Sequence, residues 1–134
     1  MSKHANGVPE CPACSEKLVL AHPDLASWFR EKVKPKYPDA HISWSFRDKE
    51  SQEQAFLDGK SKLHFPNSAH NKTPAEALDL FELDVNGIGR WAYGYFRDIA
   101  EMASIDKDPI FWGGHYTHLG DGDHYALVPK EAAQ

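Results

Sequence analysis

The sequence predicts an α+β protein with a small antiparallel sheet and flanking helices. Segments whose apolar residues recur at helical spacing are mixed with short alternating segments at irregular intervals. The chain has 134 residues, 41% of them hydrophobic, and no internal repeat or low-complexity segment. A chain of this size and composition can bury one core, so we expect a single domain over residues 1–134.

The charge pattern excludes some classes of protein. The formal net charge is −5 and no block of like charge occurs, which argues against nucleic-acid binding through phosphate contacts. No run of about 18 apolar residues is present, so no membrane span is predicted. Residues 1–17 are polar and lack the apolar core of a signal peptide, so we expect synthesis in the cytoplasm.

Three helices are predicted. The first begins with Asp24 as N-cap and ends at Pro35 and Pro38. Its apolar residues lie at helical spacing: Leu25, Trp28, Phe29 and Val33. The second covers residues 48–57, with Asp48 as N-cap, and is followed by Gly59. The third has one face formed by Trp91, Tyr95, Ile99 and Met102.

Four strands are predicted, at residues 41–46, 77–83, 110–112 and 124–128. In the first, alternation predicts that Ile42, Trp44 and Phe46 share one face and Ser43, Ser45 and Arg47 the other. Asn86-Gly87 predicts a turn, and the polar segments 60–76 and 115–123 predict long loops. Long loops inside a compact domain are usually functional. Residues 1–22 are predicted to be an irregular segment with a Cys-x-x-Cys pair.

Histidines next to two predicted strands indicate a metal site. His70 precedes a strand that contains Asp79, and His124 begins the last strand. A catalytic zinc ion typically takes three protein ligands and keeps one position for water. By alternation, Asp79 and His124 share a face with alanines while their leucine and tyrosine neighbours point into the core. An acidic residue in such an apolar strand is costly unless something pairs with it, and a metal would do so.

Two further residues could supply catalysis. Asp121 lies three residues before His124 and could take a proton from a zinc-activated water. Arg47 could clamp a substrate carboxylate or stabilise a developing oxyanion. Asp123 is the alternative base, and His115 and His118 are alternative ligands.

The segments Ser68-Ala69-His70, Ala77-Leu78-Asp79 and Asp121-Gly122-Asp123-His124 resemble the zinc D-Ala-D-Ala carboxypeptidase family. Its signature is S-x-H-x-x-G-x-A-x-D followed by a late (D/E)-x-x-H, with an arginine upstream. The spacing of His70 and Asp79 is nine residues here, against seven in the common signature. A phage-type branch has H-N-x-x-P at this place, similar to residues 70–74, which indicates a loop insertion.

The resemblance implies a Hedgehog/D,D-peptidase-like fold and a role for each matching residue. His70, Asp79 and His124 would bind Zn²⁺, Asp121 would be the catalytic base, Arg47 would support substrate and transition state, and Ser68 would bind substrate. The expected activity is zinc-dependent cleavage of peptidoglycan stem peptides by a phage endolysin-type L-alanyl-D-glutamate endopeptidase, acting on the cell wall after release from the infected cell. The alternatives are a D,D-carboxypeptidase or dipeptidase, and a non-catalytic zinc-binding module. A monomer is expected.

Two groups of residues stay outside this assignment. Cys11 and Cys14, with His22 and conceivably His4, could hold a second, structural zinc ion; the alternative is a reduced thiol pair. Four aromatic residues are interpreted as core rather than as platforms for a substrate: Trp28, Trp44, Trp91 and Tyr95.

Overall fold

The computed structural model describes residues 11–113 and 123–127. Within them lies an antiparallel sheet of five strands, which are β1 (Ala40–Trp44), β2 (Ala77–Leu83), β3 (Gly89–Arg90), β4 (Ile110–Trp112) and β5 (His124–Leu127). The strand order is β1-β2-β5-β4, and β3 pairs with the end of β2. The α+β class with an antiparallel sheet is therefore confirmed, and β2 has the bounds that its alternation predicted.

Helices surround this sheet. They are α1 (Pro12–Val19), α2 (Pro23–Trp28), α3 (Lys34–Lys36), α4 (Lys49–Leu57) and α5 (Tyr93–Ile105). Asp48 caps α4, as predicted, by accepting a hydrogen bond from the backbone N–H of Ser51. Gly59 follows α4 with a φ of 76°, which glycine adopts without steric cost. None of the helices among the described residues is long and apolar enough to span a membrane.

The prediction that residues 1–22 are irregular is wrong from residue 12 onward, because α1 lies there. This helix has no side-chain hydrogen bond at its N-cap, Cys11, and therefore lacks the usual start signal. Pro12 occupies its first position, and Cys14 and Leu18 are buried in the core. Tertiary packing rather than local capping stabilises α1.

Helix α1 also covers β1. The backbone N–H of Ile42 donates to Cys14 Sγ at 3.4 Å. The Ser45 hydroxyl donates to the carbonyl of Lys17 at 2.7 Å. Since β1 ends the strand order, these contacts satisfy polar groups on an edge of the sheet.

The helix predicted to end at Pro35 and Pro38 includes Pro35 and ends between the two prolines, at Lys36. A π-helical turn, Phe29–Val33, joins α2 to α3, and the Lys34 N–H donates to the Phe29 carbonyl. Pro35 then lies in the first turn of α3, where a missing N–H is tolerated. The predicted N-cap, Asp24, is also wrong, because His22 Nδ1 accepts the capping hydrogen bond from the Asp24 N–H.

Strand β1 departs from simple alternation at a β-bulge. Ile42 pairs with Leu80 and Trp44 pairs with Asp79. Between these two pairs, β1 moves forward by two residues while β2 moves by one. The side chains therefore exchange faces, and the prediction that Trp44 shares the buried face of Ile42 is wrong. Trp44 is 40% exposed, whereas Ser45 is only 2% exposed.

The core lies on one face of β2 and β5. Leu78, Leu80 and Tyr125 are fully buried there, as predicted from the alternation of the two strands. The Tyr125 hydroxyl donates to the Phe96 carbonyl at 2.7 Å, which ties α5 to the sheet. The buried face of α5 consists of Phe96, Ile99 and Ala103. Trp91, predicted to belong to that face, precedes the helix and is exposed.

Candidate metal centre and cleft

A cleft of about 1040 Å³ opens beside the centre of the sheet. Its walls come from β1, α4 and the loop that follows α4, and His70, Asp79 and His124 lie on its surface. A cavity of this size accommodates a short peptide rather than a single amino acid.

Antiparallel pairing of β2 with β5 creates the centre of this cleft. Asp79 is directly opposite His124 in the register. Asp79 Oδ1 lies 3.1 Å from His70 Nε2 and 3.1 Å from His124 Nδ1. One ligand atom from each of the three residues lies within 4.8 Å of the others. The structure thus brings together the three predicted zinc ligands, whose metal binding stays a prediction.

The hydrogen bond on the other side of His70 fixes its ring. His70 Nδ1 lies 2.7 Å from the Ser45 carbonyl oxygen, which only accepts, so Nδ1 carries the proton. In the neutral ring, Nε2 is then an acceptor that faces the acceptor Asp79 Oδ1 at 3.1 Å. This contact requires a positive charge between the two atoms, either a proton or a metal ion.

A metal ion of the zinc type fits this arrangement. Tetrahedral coordination by oxygen and nitrogen at roughly 2.0–2.1 Å separates the ligand atoms by about 3.3 Å. The two distances from Asp79 Oδ1, to His70 Nε2 and to His124 Nδ1, are 3.1 Å each and differ from this by a few tenths of an ångström. Two imidazoles and one carboxylate are also a ligand set that zinc takes in catalytic sites.

The charge state of Asp79 suits a metal ligand. Burial by itself raises the pKa of this carboxyl, but the charges and hydrogen bonds of His70 and His124 outweigh it and hold the pKa well below its ordinary value. The second oxygen, Oδ2, accepts from Arg47 Nη2 at 3.3 Å. Asp79 therefore presents an ionised oxygen to the two histidines, and the Arg47 guanidinium orients the carboxylate through its second oxygen.

Arg47 is held by a buried polar network. Its Nη1 donates to Gln52 Oε1 at 3.1 Å, and Gln52 is fully buried. Gln52 in turn donates to Ser61 Oγ and to the Leu63 carbonyl. The Arg47 carbon Cζ also lies 5.0 Å from the centroid of the Trp44 ring, which the bulge in β1 turns toward the cleft.

Ser68 shapes the loop that carries His70. Its hydroxyl accepts from the backbone N–H of His70 at 3.2 Å, and its own N–H donates to Asn71 Oδ1. These reciprocal hydrogen bonds cap a short 3₁₀ helix, Ala69–Asn71. Ser68 also lies on the surface of the cleft, and its predicted contact with substrate stays a prediction.

The late motif is only partly described. Asp121, His115 and His118 lie outside the described residues, so their predicted roles stay predictions. Asp123 lines the cleft, and its carbonyl accepts from the Leu80 N–H at 2.9 Å. The role of Asp123 as the alternative base stays a prediction. Position alone does not separate the two candidate bases.

Some residues of the cleft were not predicted. Trp44, Trp91 and Phe111 are exposed and line its walls, so the interpretation of Trp44 and Trp91 as core residues is wrong. The bulge displaces Trp44, and Trp91 stacks on Phe81 with ring centroids 5.2 Å apart. Trp28 is buried in the core, as predicted.

A second cluster lies at the edge of the sheet. Cys11 and Cys14 meet His41 of β1, not His22, which caps α2 instead. His4 lies outside the described residues. Both cysteines are free, and burial raises the pKa of the Cys14 thiol to about 11. The predicted third ligand from His22 is therefore wrong.

The fold and the cleft define a small α+β protein with a largely buried cluster of two histidines and one carboxylate that lines an open cleft. This fold is similar to the crystal structure of the L-Ala D-Glu endopeptidase ChiX of Serratia marcescens. The TM-score is 0.72 and the identity 22%, over 96% of each chain. No protein-family model and no curated protein matches the sequence. The structural likeness establishes the shared fold that the family resemblance predicted.

Proposed function

We propose that this protein is a zinc-dependent peptidase that cleaves peptidoglycan stem peptides. The observation that carries the proposal is the contact of Asp79 Oδ1 with His70 Nε2 and His124 Nδ1 on the surface of a cleft. A positive charge is needed between His70 Nε2 and Asp79 Oδ1, and a metal ion bound by all three residues would supply it. The fold shared with an L-Ala D-Glu endopeptidase supports the same class of reaction.

His70, Asp79 and His124 would hold the zinc ion. When bound in such a site, zinc polarises a carbonyl oxygen and lowers the pKa of water. Asp121 accepts a proton from the attacking water and returns it to the leaving amine. Arg47 orients Asp79 by donating to its Oδ2, and the Ser45 carbonyl keeps the proton of His70 on Nδ1.

Two lysines on the wall of the cleft are suited to bind carboxylates of a peptide. Lys60 and Lys62 lie on its wall, where their ammonium groups can attract the carboxylates of a stem peptide. Ser68 lies nearer to the metal ligands and can hydrogen-bond the peptide backbone. Within this substrate class we propose the bond between L-alanine and D-glutamate. The proposed phage endolysin-type role rests on the loop of residues 70–74, which resembles the phage branch.

The test is digestion of purified peptidoglycan by the zinc-loaded protein, with the new termini identified by mass spectrometry. We expect released peptides that begin with D-glutamate, and glycan strands on which each cleaved stem peptide is reduced to a single L-alanine. The His124→Ala protein should release neither. His64→Ala is the matched control, because His64 pairs with Glu53 on the surface and does not line the cleft.

Other products would correct the proposal in defined ways. Release of D-alanine alone would identify a D,D-carboxypeptidase, and release of a D-alanyl dipeptide would identify a dipeptidase. Absence of any new terminus from a folded, zinc-loaded protein would indicate a non-catalytic zinc-binding module.

A further inference from the structure

The edge cluster has the dimensions of a metal site. Cys11 Sγ and Cys14 Sγ are 3.4 Å apart. His41 Nδ1 lies 3.5 Å from the first sulfur and 3.6 Å from the second. The three atoms therefore form a nearly equilateral triangle.

This triangle matches one face of a zinc tetrahedron. Zinc binds sulfur at about 2.3 Å and imidazole nitrogen at about 2.0–2.1 Å, so tetrahedral angles place two sulfurs about 3.8 Å apart and a sulfur and a nitrogen about 3.6 Å apart. The sulfur–nitrogen distances agree with these values to about 0.1 Å, and the sulfurs are a few tenths of an ångström closer. A thiol pair alone would explain the contact of Cys11 with Cys14 but not the equal approach of His41 to both.

We propose that Cys11, Cys14 and His41 form a second zinc site, which fastens α1 to β1. None of the three residues lines the cleft, so the role of this ion is structural. Three ligands leave one corner of the tetrahedron for a water molecule or a further donor of the chain. Binding releases the two thiol protons, and the charges of the ion and the two thiolates cancel.

The surroundings of the sulfurs support this assignment. The backbone N–H of Ile42 donates to Cys14 Sγ at 3.4 Å, which stabilises negative charge on that sulfur. Zinc is the appropriate ion because it prefers soft and borderline ligands such as two thiolates and one imidazole. Mg²⁺ and Ca²⁺ prefer oxygen ligands instead.

The test counts zinc in the full-length protein, purified with a reductant and analysed by mass spectrometry of the metal. Two single-site variants, Cys11→Ser and His41→Gln, should each lose one equivalent relative to the wild type. Cys11 is only half-buried, so its substitution leaves the core intact. His22→Asn is the matched control: it removes the first histidine that follows the cysteines in the sequence, keeps a capping side chain for α2, and should retain all zinc.

Cobalt substitution provides a second measurement. Thiolate ligands give Co²⁺ an intense charge-transfer absorption, which should be present in the wild type and lost in Cys11→Ser. Both variants are compared with the wild type. The loss of one zinc equivalent is therefore visible whether or not His70, Asp79 and His124 hold an ion. The test is thereby independent of the proposed peptidase activity.

Three results would overturn the proposal. One is equal zinc content in the wild type, Cys11→Ser and His41→Gln. Another is loss of zinc in His22→Asn with His41→Gln unchanged. The third combines two observations: freshly isolated protein contains a disulfide between Cys11 and Cys14, and this site stays metal-free after reduction and addition of zinc. That result would identify the pair as a redox dithiol.

Discussion

The two metal-type clusters of this protein differ in position, in donors and in surroundings. His70, Asp79 and His124 lie between the central strands β2 and β5 and open onto a cleft. Cys11, Cys14 and His41 lie on the edge strand β1 and on α1, away from the cleft. The first offers two imidazoles and a carboxylate, whereas the second offers two sulfurs and one imidazole.

This difference matches the two uses of zinc that we propose for the two clusters. A catalytic site needs open coordination positions and supporting hydrogen bonds, which Arg47 and Ser45 supply around the first cluster. A structural site needs strong ligands that join segments distant in sequence, as the second cluster does for α1 and β1. We therefore expect damage to the first cluster to abolish activity and damage to the second to reduce stability.

The largest expected effect is that of His124→Ala. This change removes a proposed zinc ligand from the cleft, so hydrolysis of a muropeptide should fall to the uncatalysed background. The second cluster should keep its ion, which cobalt spectroscopy would report separately. Full activity of His124→Ala would show that the cleft does not use this centre, and the comparison between the clusters would fail.

Substitution of the proposed base should have the next largest effect. Asp121→Asn keeps the size of the side chain but cannot accept a proton, so turnover should fall by about 10²–10⁴-fold while zinc stays bound. Asp123→Asn is the matched control and should cost far less. The reverse order, measured on the same muropeptide, would assign the base to Asp123, which also lines the cleft.

Arg47→Lys tests the support of the first cluster with a smaller effect. Lysine keeps the positive charge but lacks the planar group whose two separate nitrogens donate to Gln52 and Asp79. A charge-assisted hydrogen bond contributes about 1.5–3 kcal/mol, so kcat/KM should fall roughly tenfold to a hundredfold. Zinc content should not change. An unaltered kcat/KM would show that Arg47 supports only the fold.

The smallest effect on activity should come from the second cluster. Cys11→Ser/Cys14→Ser should keep peptidase activity within a few-fold of the wild type. An ion present at a thousand times its Kd stabilises the folded state by about 4 kcal/mol. Its loss should lower the Tm by roughly 10 °C, measured by calorimetry in reductant and zinc. Loss of most activity in the folded double variant would place α1 within the catalytic site.

The sequence predicts the centre of the molecule well because local patterns determine it. The alternation of β2 and β5 places Leu78 and Tyr125 in the core and Asp79 and His124 on the opposite face. The family motifs then indicate how these residues act. The partnership of Arg47 with Asp79 was not predicted, since it depends on the packing of α4 through Gln52.

The edge of the molecule could not be predicted from local patterns. The bulge in β1 depends on its register against β2, and it exposes Trp44 despite an alternating sequence. Helix α1 lacks a capping side chain and is stabilised by tertiary packing. The partner of Cys14 proved to be His41, 27 residues along the chain, rather than the closer His22.

The way α1 covers β1 has a consequence for solubility. The N–H of Ile42 is satisfied by a sulfur atom and the Ser45 hydroxyl by the Lys17 carbonyl, rather than by another strand. An uncovered strand edge is a template on which other chains can add strands. Detachment of α1, after loss of an ion or oxidation of its thiols, should therefore convert the protein into a self-associating species while its cleft is still folded.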